Sequence, residues 1–305
     1  LARGTVGLSE GVRAMKWGIV LTVDGVPGRA DEFIAESARY MEELGFSSFW
    51  APDHAMFFDR IDSRYPHSED GKFGWLEDQG LMEPIMVCQL AAAATKEIRV
   101  GTSVEVITLR NPVVRSKHVA TVDHFSGGRF EYGVGIGWMK EEYDACGVPW
   151  ERRGDRGDEY IKVMKALWTQ DRASFHGDFF NFDDVVAFPK PAQKPHPPVL
   201  VGGVTPAAIR RAARHGDGWY GWKMTLEEID EALVLLRQEL DQAGRSLDDG
   251  FRLVNGIPHH GDPVELADYL RGIEARGITE FNFGLALSRR SWREQIEKYA
   301  RVLIG

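Results

Sequence analysis

From Trp17 to Leu303, short runs rich in β-branched and aromatic residues alternate with longer amphipathic runs, and this alternation leaves few folds open. The strand-like runs are Trp17–Val23, Phe46–Trp50, Ile98–Ile107, Phe130–Val134, Val199–Val201, Gly218–Trp222, Phe251–Val254 and Glu280–Phe283. The helical pattern covers Asp31–Leu44, Glu83–Ala94, Val113–Phe125, Asp155–Trp168, Pro206–His215, Leu226–Ala243, Pro263–Arg276 and Ser291–Leu303. In the first helix Phe33, Ile34, Ala38, Met41 and Leu44 share one face, and Gly45 stops it. Such alternation implies parallel strands joined by right-handed crossovers. Eight units, with no early glycine-rich phosphate fingerprint, favour an α/β fold closed as a (β/α)8 TIM barrel over an open doubly wound sheet.

Two segments break the rhythm. Ala55–Leu81 mixes turn residues with Tyr65, Phe73 and Trp75, which predicts an ordered lid. Residues 169–198 form a second insertion, with a small hairpin around Ser174–Phe182. Residues 1–14 lack the apolar core of a signal peptide and are taken as an extension upstream of a single domain spanning 15–305.

Bulk properties narrow the function. Hydrophobic residues make up 43% and charged residues 27%, a globular balance. The net charge of −9 and the lack of a basic run argue against nucleic acid. No apolar run reaches membrane-span length. Cys88 and Cys146 make neither a metal spacing nor a disulfide framework, which fits a cytoplasmic protein.

Chemistry in a barrel belongs at the C-terminal ends of its strands. Strand 2 ends in Asp53-His54, readable as an acid/base pair or as a cap on the loop. Strand 3 carries Gly101, Thr102, Ser103, Val104 and Glu105. Its small residues suit either a flat ligand against the backbone or a bulge, and Glu105 is an acid/base candidate or a partner for Arg110. Strand 4 runs into Gly133, Val134, Gly135, Ile136, Gly137 and Trp138. Bare backbone there suits a planar ligand with Trp138 as a wall, or tight barrel packing. Gly202, Gly203, Val204 and Thr205 precede a helix starting at Pro206. That loop suits a phosphate, and equally a plain turn capped by Thr205. HExxH, GxxxxGK[ST] and GxSxG are absent. His259 and His260 are adjacent and point apart, and His118 and His124 lie on a predicted helix, so no metal site is expected.

The stretch IRVGTSVEVITLRNPVVRSKHVATVDHFSGGRFEYGVGIGWMKEEYDACGVPWERRGDR (98–156), with PPVLVGG and RRAARHGDGW downstream, resembles the bacterial-luciferase-like monooxygenase superfamily. Asp53-His54 and the lid segment RYPHSEDGKFGW are most similar to its branch using the deazaflavin coenzyme F420. The resemblance implies that Asp53 and His54 lie near the cofactor ring. It implies a cis peptide at Ser103-Val104 behind the ring, ring contacts from Gly135, Ile136, Gly137 and Trp138, and phosphate contacts from Gly202, Gly203, Val204 and Thr205. Where some relatives place a catalytic glutamate this chain has Trp138, and Glu141 and Glu142 begin a helix. The implied activity is hydride transfer between the deazaflavin C5 and a small organic substrate, with His54 in the proton role. An FMN-dependent monooxygenase is the alternative, and a non-catalytic cofactor-binding paralogue belongs to a different class. A hydrolase or aldolase would need lysines or paired carboxylates that the strand ends scarcely offer. Phe57, Phe58, Phe73, Trp75 and Trp138 suggest an apolar substrate, and relatives of this kind imply a homodimer.

Overall fold

The computed structural model describes residues 12, 14–23, 29–74, 81–259, 261–287 and 290–305. Trp75, His260 and most of the expected N-terminal extension lie outside them. Val12 is fully buried, and the Met15 N–H donates to its carbonyl.

In chain order the elements are β1 (Lys16–Val23), α1 (Ala30–Glu43), β2 (Ser48–Ala51), α2 (Pro84–Ala94), β3 (Arg99–Thr102), β4 (Glu105–Val106), α3 (Pro112–Phe125), β5 (Phe130–Gly135), α4 (Lys140–Ala145), α5 (Arg153–Thr169), β6 (Ala173–His176), β7 (Asn181–Val185), β8 (Val199–Gly202), α6 (Pro206–His215), β9 (Gly218–Trp222), α7 (Leu226–Gln242), β10 (Arg252–Pro258), α8 (Ala267–Ala275), β11 (Glu280–Leu287) and α9 (Trp292–Leu303). The parallel sheet runs β3-β2-β1-β11-β10-β9-β8-β5-β4, and a β3–β5 pairing closes it. The expected eight-stranded barrel is thus present, with β3 and β4 as two halves of one strand. The predicted continuous strand Ile98–Ile107 is interrupted at Ser103-Val104, whose peptide bond is cis. The predicted helix Pro263–Arg276 opens as a 3-10 turn over Pro263–Leu266 before α8 begins.

Alternation along the strands sorts side chains into two layers. One side packs against the helices in the main core. The other fills the barrel with Val20, Trp50, Leu200, Tyr220 and Val254, on which Val104 and Trp222 pack. At the N-terminal ends of the strands the interior is ionic. Arg252 bonds Glu131 at 2.9 Å and Glu280 at 2.8 Å, and Arg99 pairs with the same fully buried Glu131. That plugged floor leaves the opposite mouth for a ligand.

The second insertion holds the expected hairpin. β6 and β7 pair antiparallel, with Phe175 opposite Phe182. Glu159 of α5 accepts the N–H groups of Asp178, Phe179 and Phe180 at 2.8, 2.8 and 2.6 Å, which docks the turn on the barrel.

Candidate active site

His54 stands just beyond β2, where the parallel neighbours β1 and β3 hold the strand in register. Its Nδ1 lies 2.9 Å from Glu142 Oε2. Glu142 is buried in the first turn of α4, and its Oε1 accepts the Ala55 N–H at 2.6 Å. One carboxylate therefore fixes both the imidazole and the backbone that follows it. The carboxylate favours the proton on Nδ1 and leaves Nε2 for a ligand. Among the described residues, Nε2 has no hydrogen-bond partner.

An aromatic cage surrounds this ring. Phe57, Phe73 and Trp138 stand 5.2, 5.4 and 5.9 Å from it, and Tyr65 packs on both Phe73 and Trp138 at 4.8 and 5.1 Å. All but Trp138 and His54 come from the lid. Glu141 Oε1 holds the lid backbone by accepting from Asp62 and Ser63 at 2.7 and 3.0 Å. Burial opposes its ionisation, but hydrogen bonds from Ser63 and from backbone N–H groups win and hold Glu141 down to about 2. From the far wall Lys223 donates to the His67 carbonyl at 2.6 Å. Lys223 has a φ of 52°, an unusual conformation for a residue other than glycine. A cavity of about 680 Å³ follows the lid past Phe57, Phe58, Ile61 and Phe73.

Asp53 is taken up by Arg110 and the backbone. Arg110 grips both of its oxygens, with Nη2 to Oδ1 at 2.7 Å, and the Val106 N–H donates to Oδ2 at 2.9 Å. A buried carboxylate so occupied anchors the strand end. Glu105 is fully buried beside it, and its nearer partner is Arg115 at 3.0 Å rather than Arg110 at 3.9 Å.

Ser103 Oγ meets the Tyr220 hydroxyl at 2.9 Å, and Asn282 Nδ2 donates to that hydroxyl at 2.8 Å. Glycines make room for Val104. A Cβ on Gly135 would stand 2.8 Å from Val104 Cγ2, and one on Gly202 2.9 Å from both of its methyls. Gly137 would meet Val106 Cγ1 at 2.8 Å. The close neighbours of these bare positions are therefore Val104, at the break between β3 and β4, and Val106 of β4, and the Val104 side chain is the surface they bring forward. Ile136 turns outward instead, with Gly157 of α5 leaving space for its Cδ1.

At β8 the chain turns through Gly203, φ 129°, into α6. Thr205 caps the helix by accepting from Ala208 N at 3.3 Å, and Pro206 takes the first position, as expected. Trp219 Nε1 donates to the Gly203 carbonyl at 2.8 Å and fixes the turn. The N–H groups of Val204 and Thr205 have no acceptor among the described residues. An apolar bed at Val104 and unpaired N–H groups beside a helix N-terminus fit a planar ring carrying a phosphate.

The structure thus brings His54 and Trp138 together, ties Asp53 to Arg110, and places Gly202–Thr205 at the end of β8, whose neighbour is β5. Sequence reading missed Glu142 as the partner of His54. Its only signal was two consecutive acidic residues just after GVGIGW.

The sequence profile described as luciferase-like monooxygenase matches residues 15–298. An F420-dependent glucose-6-phosphate dehydrogenase of Kineococcus radiotolerans is 30% identical over 233 residues, 73% of this chain and 63% of that protein. An FMNH(2)-dependent dimethylsulfone monooxygenase of Pseudomonas putida is 40% identical over 141 residues, 45% of this chain and 38% of that protein. Among solved structures, an F420-dependent secondary alcohol dehydrogenase in complex with an F420-acetone adduct superposes with a TM-score of 0.74 at 19% identity, covering 95% of this chain and 99% of that one. That last likeness speaks to the fold. A profile spanning nearly the whole barrel, and a relative aligned along most of it, place this chain in the luciferase-like monooxygenase family.

Proposed function

We propose that the protein is an F420-dependent oxidoreductase that moves a hydride between the deazaflavin C5 and a small organic substrate. The observation that carries this reading is the His54–Glu142 pair, closed in by aromatic rings at the barrel mouth, with His54 Nε2 unpartnered among the described residues. A caged imidazole oriented by a carboxylate is suited to hold or release one proton beside a bound substrate. The relative using F420 aligns along most of the chain, which favours that cofactor.

When bound, the deazaflavin supplies a two-electron hydride donor or acceptor at C5. The chain's own residues do the rest. The N–H groups of Val204 and Thr205, with the bare backbone of Gly202 and Gly203, hold the phosphate. Ser103 and Val104 would support the ring, and Gly135, Gly137 and Trp138 would border it, with Ile136 contributing backbone alone because its side chain turns towards α5. His54 Nε2 takes the proton of a substrate hydroxyl as its carbon gives up hydride, or returns it in the reverse direction. Glu142 keeps the imidazole oriented, and the pair Asp53–Arg110 positions the strand end. The lid's rings exclude water from the reacting atoms.

The monooxygenase relative, more identical over a shorter stretch, supports a second reading with FMN and oxygen insertion. Titrating purified protein with F420 and with FMN, followed by fluorescence, separates the two. Binding of F420 with substrate-dependent bleaching of its absorbance supports the first. Tight FMN binding without F420 binding replaces it with the second, and binding of neither removes both.

A further inference from the structure

From the end of β2 runs a row of alternating charges of which the proposed chemistry uses only the Asp53–Arg110 end. Glu83 caps α2 by accepting from Met86 N at 2.9 Å, and also accepts from Arg115 Nη2 at 2.7 Å. Arg115 Nε donates to Glu105 Oε1 at 3.0 Å. Arg110 lies between Glu105, at 3.9 Å from its Nε, and Asp53, which it grips with both terminal nitrogens. Asp53 is bonded directly to His54. The row therefore links α2, α3, β4 and the end of β2, and stops at the residue carrying the proposed proton.

Glu105 is the middle of the row and its weak point. It is fully buried, and only Oε1 is satisfied, by Arg115 and by the Tyr132 hydroxyl at 3.2 Å. Oε2 has no hydrogen-bond partner among the described residues. A buried carboxylate with an orphaned oxygen is costly to keep charged, yet two arginines need its charge. The groups facing it are Arg110 and Arg115, the like-charged Asp53 and Glu83, and the phenol of Tyr132.

We propose that Glu105 is a positioning residue for His54: its ionised carboxylate shares Arg110 with Asp53 at the end of β2, and gaining a proton releases Arg110 to Asp53 and resets that clasp. Burial, with Asp53 and Glu83 adding to it, outweighs the attraction of Arg115 and Arg110 and lifts the Glu105 carboxyl to about 7. Protonation at neutral pH leaves Arg110 with Asp53 alone and Arg115 with Glu83 alone. The clasp at the strand end is then drawn towards Asp53, and the imidazole that follows Asp53 shifts with it against the hold of Glu142. This inference rests on the reading of His54 as the proton group, but its test does not require a bound cofactor.

Carbon-13 NMR of the Glu105 carboxyl and proton NMR of the His54 ring, on ligand-free protein across pH 5 to 9, read it directly. The Glu105 signal is expected to titrate near neutrality, and the His54 ring signals to show an inflection at the same pH. Glu105→Gln should abolish that inflection. It should also lower kcat by roughly ten- to a hundredfold with KM little changed, the cost of a misplaced catalytic group. If Glu105→Gln does not fold, Tyr132→Phe removes a donor to Oε1 and should move the inflection to higher pH. A purely structural glutamate would leave the His54 signals blind to it. Unchanged His54 signals in either variant, or a Glu105 carboxyl that titrates in the ordinary range, would overturn the proposal. Failure of F420 and FMN to bind would remove the function reading while leaving this result in place.

Discussion

At the scale of single residues, the site turns on two oxygens of Glu142. One orients His54 and the other pins the Ala55 N–H. His54→Ala should therefore leave cofactor affinity roughly intact while slowing turnover by about 10²–10⁴-fold, the usual worth of a general acid or base. Equal rates for variant and parent in single-turnover assays would deny His54 the proton. Glu142→Gln keeps an acceptor for Ala55 but removes the charge facing the ring, so kcat should fall with KM nearly constant. The sequence offered His54 through its place at a strand end. It hid Glu142, because two acidic residues at the start of a helix serve its N-terminus equally well without any partner. The partner lies 88 residues away, and no local periodicity reports a contact at that range.

At the scale of elements, the lid is fastened to both walls of the mouth. Glu141 of α4 holds Asp62 and Ser63, and Lys223 beyond β9 holds His67. Glu141 is lowered from its ordinary range to about 2, so its contribution is present above about pH 4.5 and is lost only as pH falls towards 2. Amide exchange at Asp62 and Ser63 should accordingly stay slow and level from pH 5 upward once intrinsic rates are removed. Glu141→Ala should speed it, and proteolysis within residues 56–74 with it. Exchange indifferent to that substitution would mean that the aromatic cage alone closes the lid. Helices, hairpin and barrel closure were legible because period and turn residues are local signals. The break between β3 and β4 was not legible from periodicity, since Thr102–Val106 reads as unbroken strand. Only the family resemblance pointed to the Ser103-Val104 bond.

At the scale of the whole molecule, two buried carboxylates act in opposite senses. Glu131 holds two arginines at the floor, so Glu131→Gln should cost about 3–5 kcal/mol, as when one partner of a buried ion pair is removed. Urea denaturation followed by tryptophan fluorescence would measure it, and a loss under 1 kcal/mol would contradict the floor's role. Glu105 is raised, so its stabilising contribution is complete below about pH 4.5 and disappears as pH rises through about 7. Unfolding free energy should drop across that window by on the order of 3 kcal/mol. Glu105→Gln should flatten the drop, and an unchanged pH profile in that variant would assign it to other groups. The charge that the site uses is thus one that the fold tolerates at a cost.

The room made for Val104 also bears on how such a chain can change over time. Gly135 and Gly202, from two strands, are shaped to one valine side chain, so none of the three positions is free to drift alone. An alanine at Gly202 collides with Val104, whereas the same alanine beside a shortened Val104 does not. Substitutions here should be tolerated in pairs, and single changes removed by selection. The bed beneath the proposed ring is in that sense one inherited unit written at three distant places in the sequence.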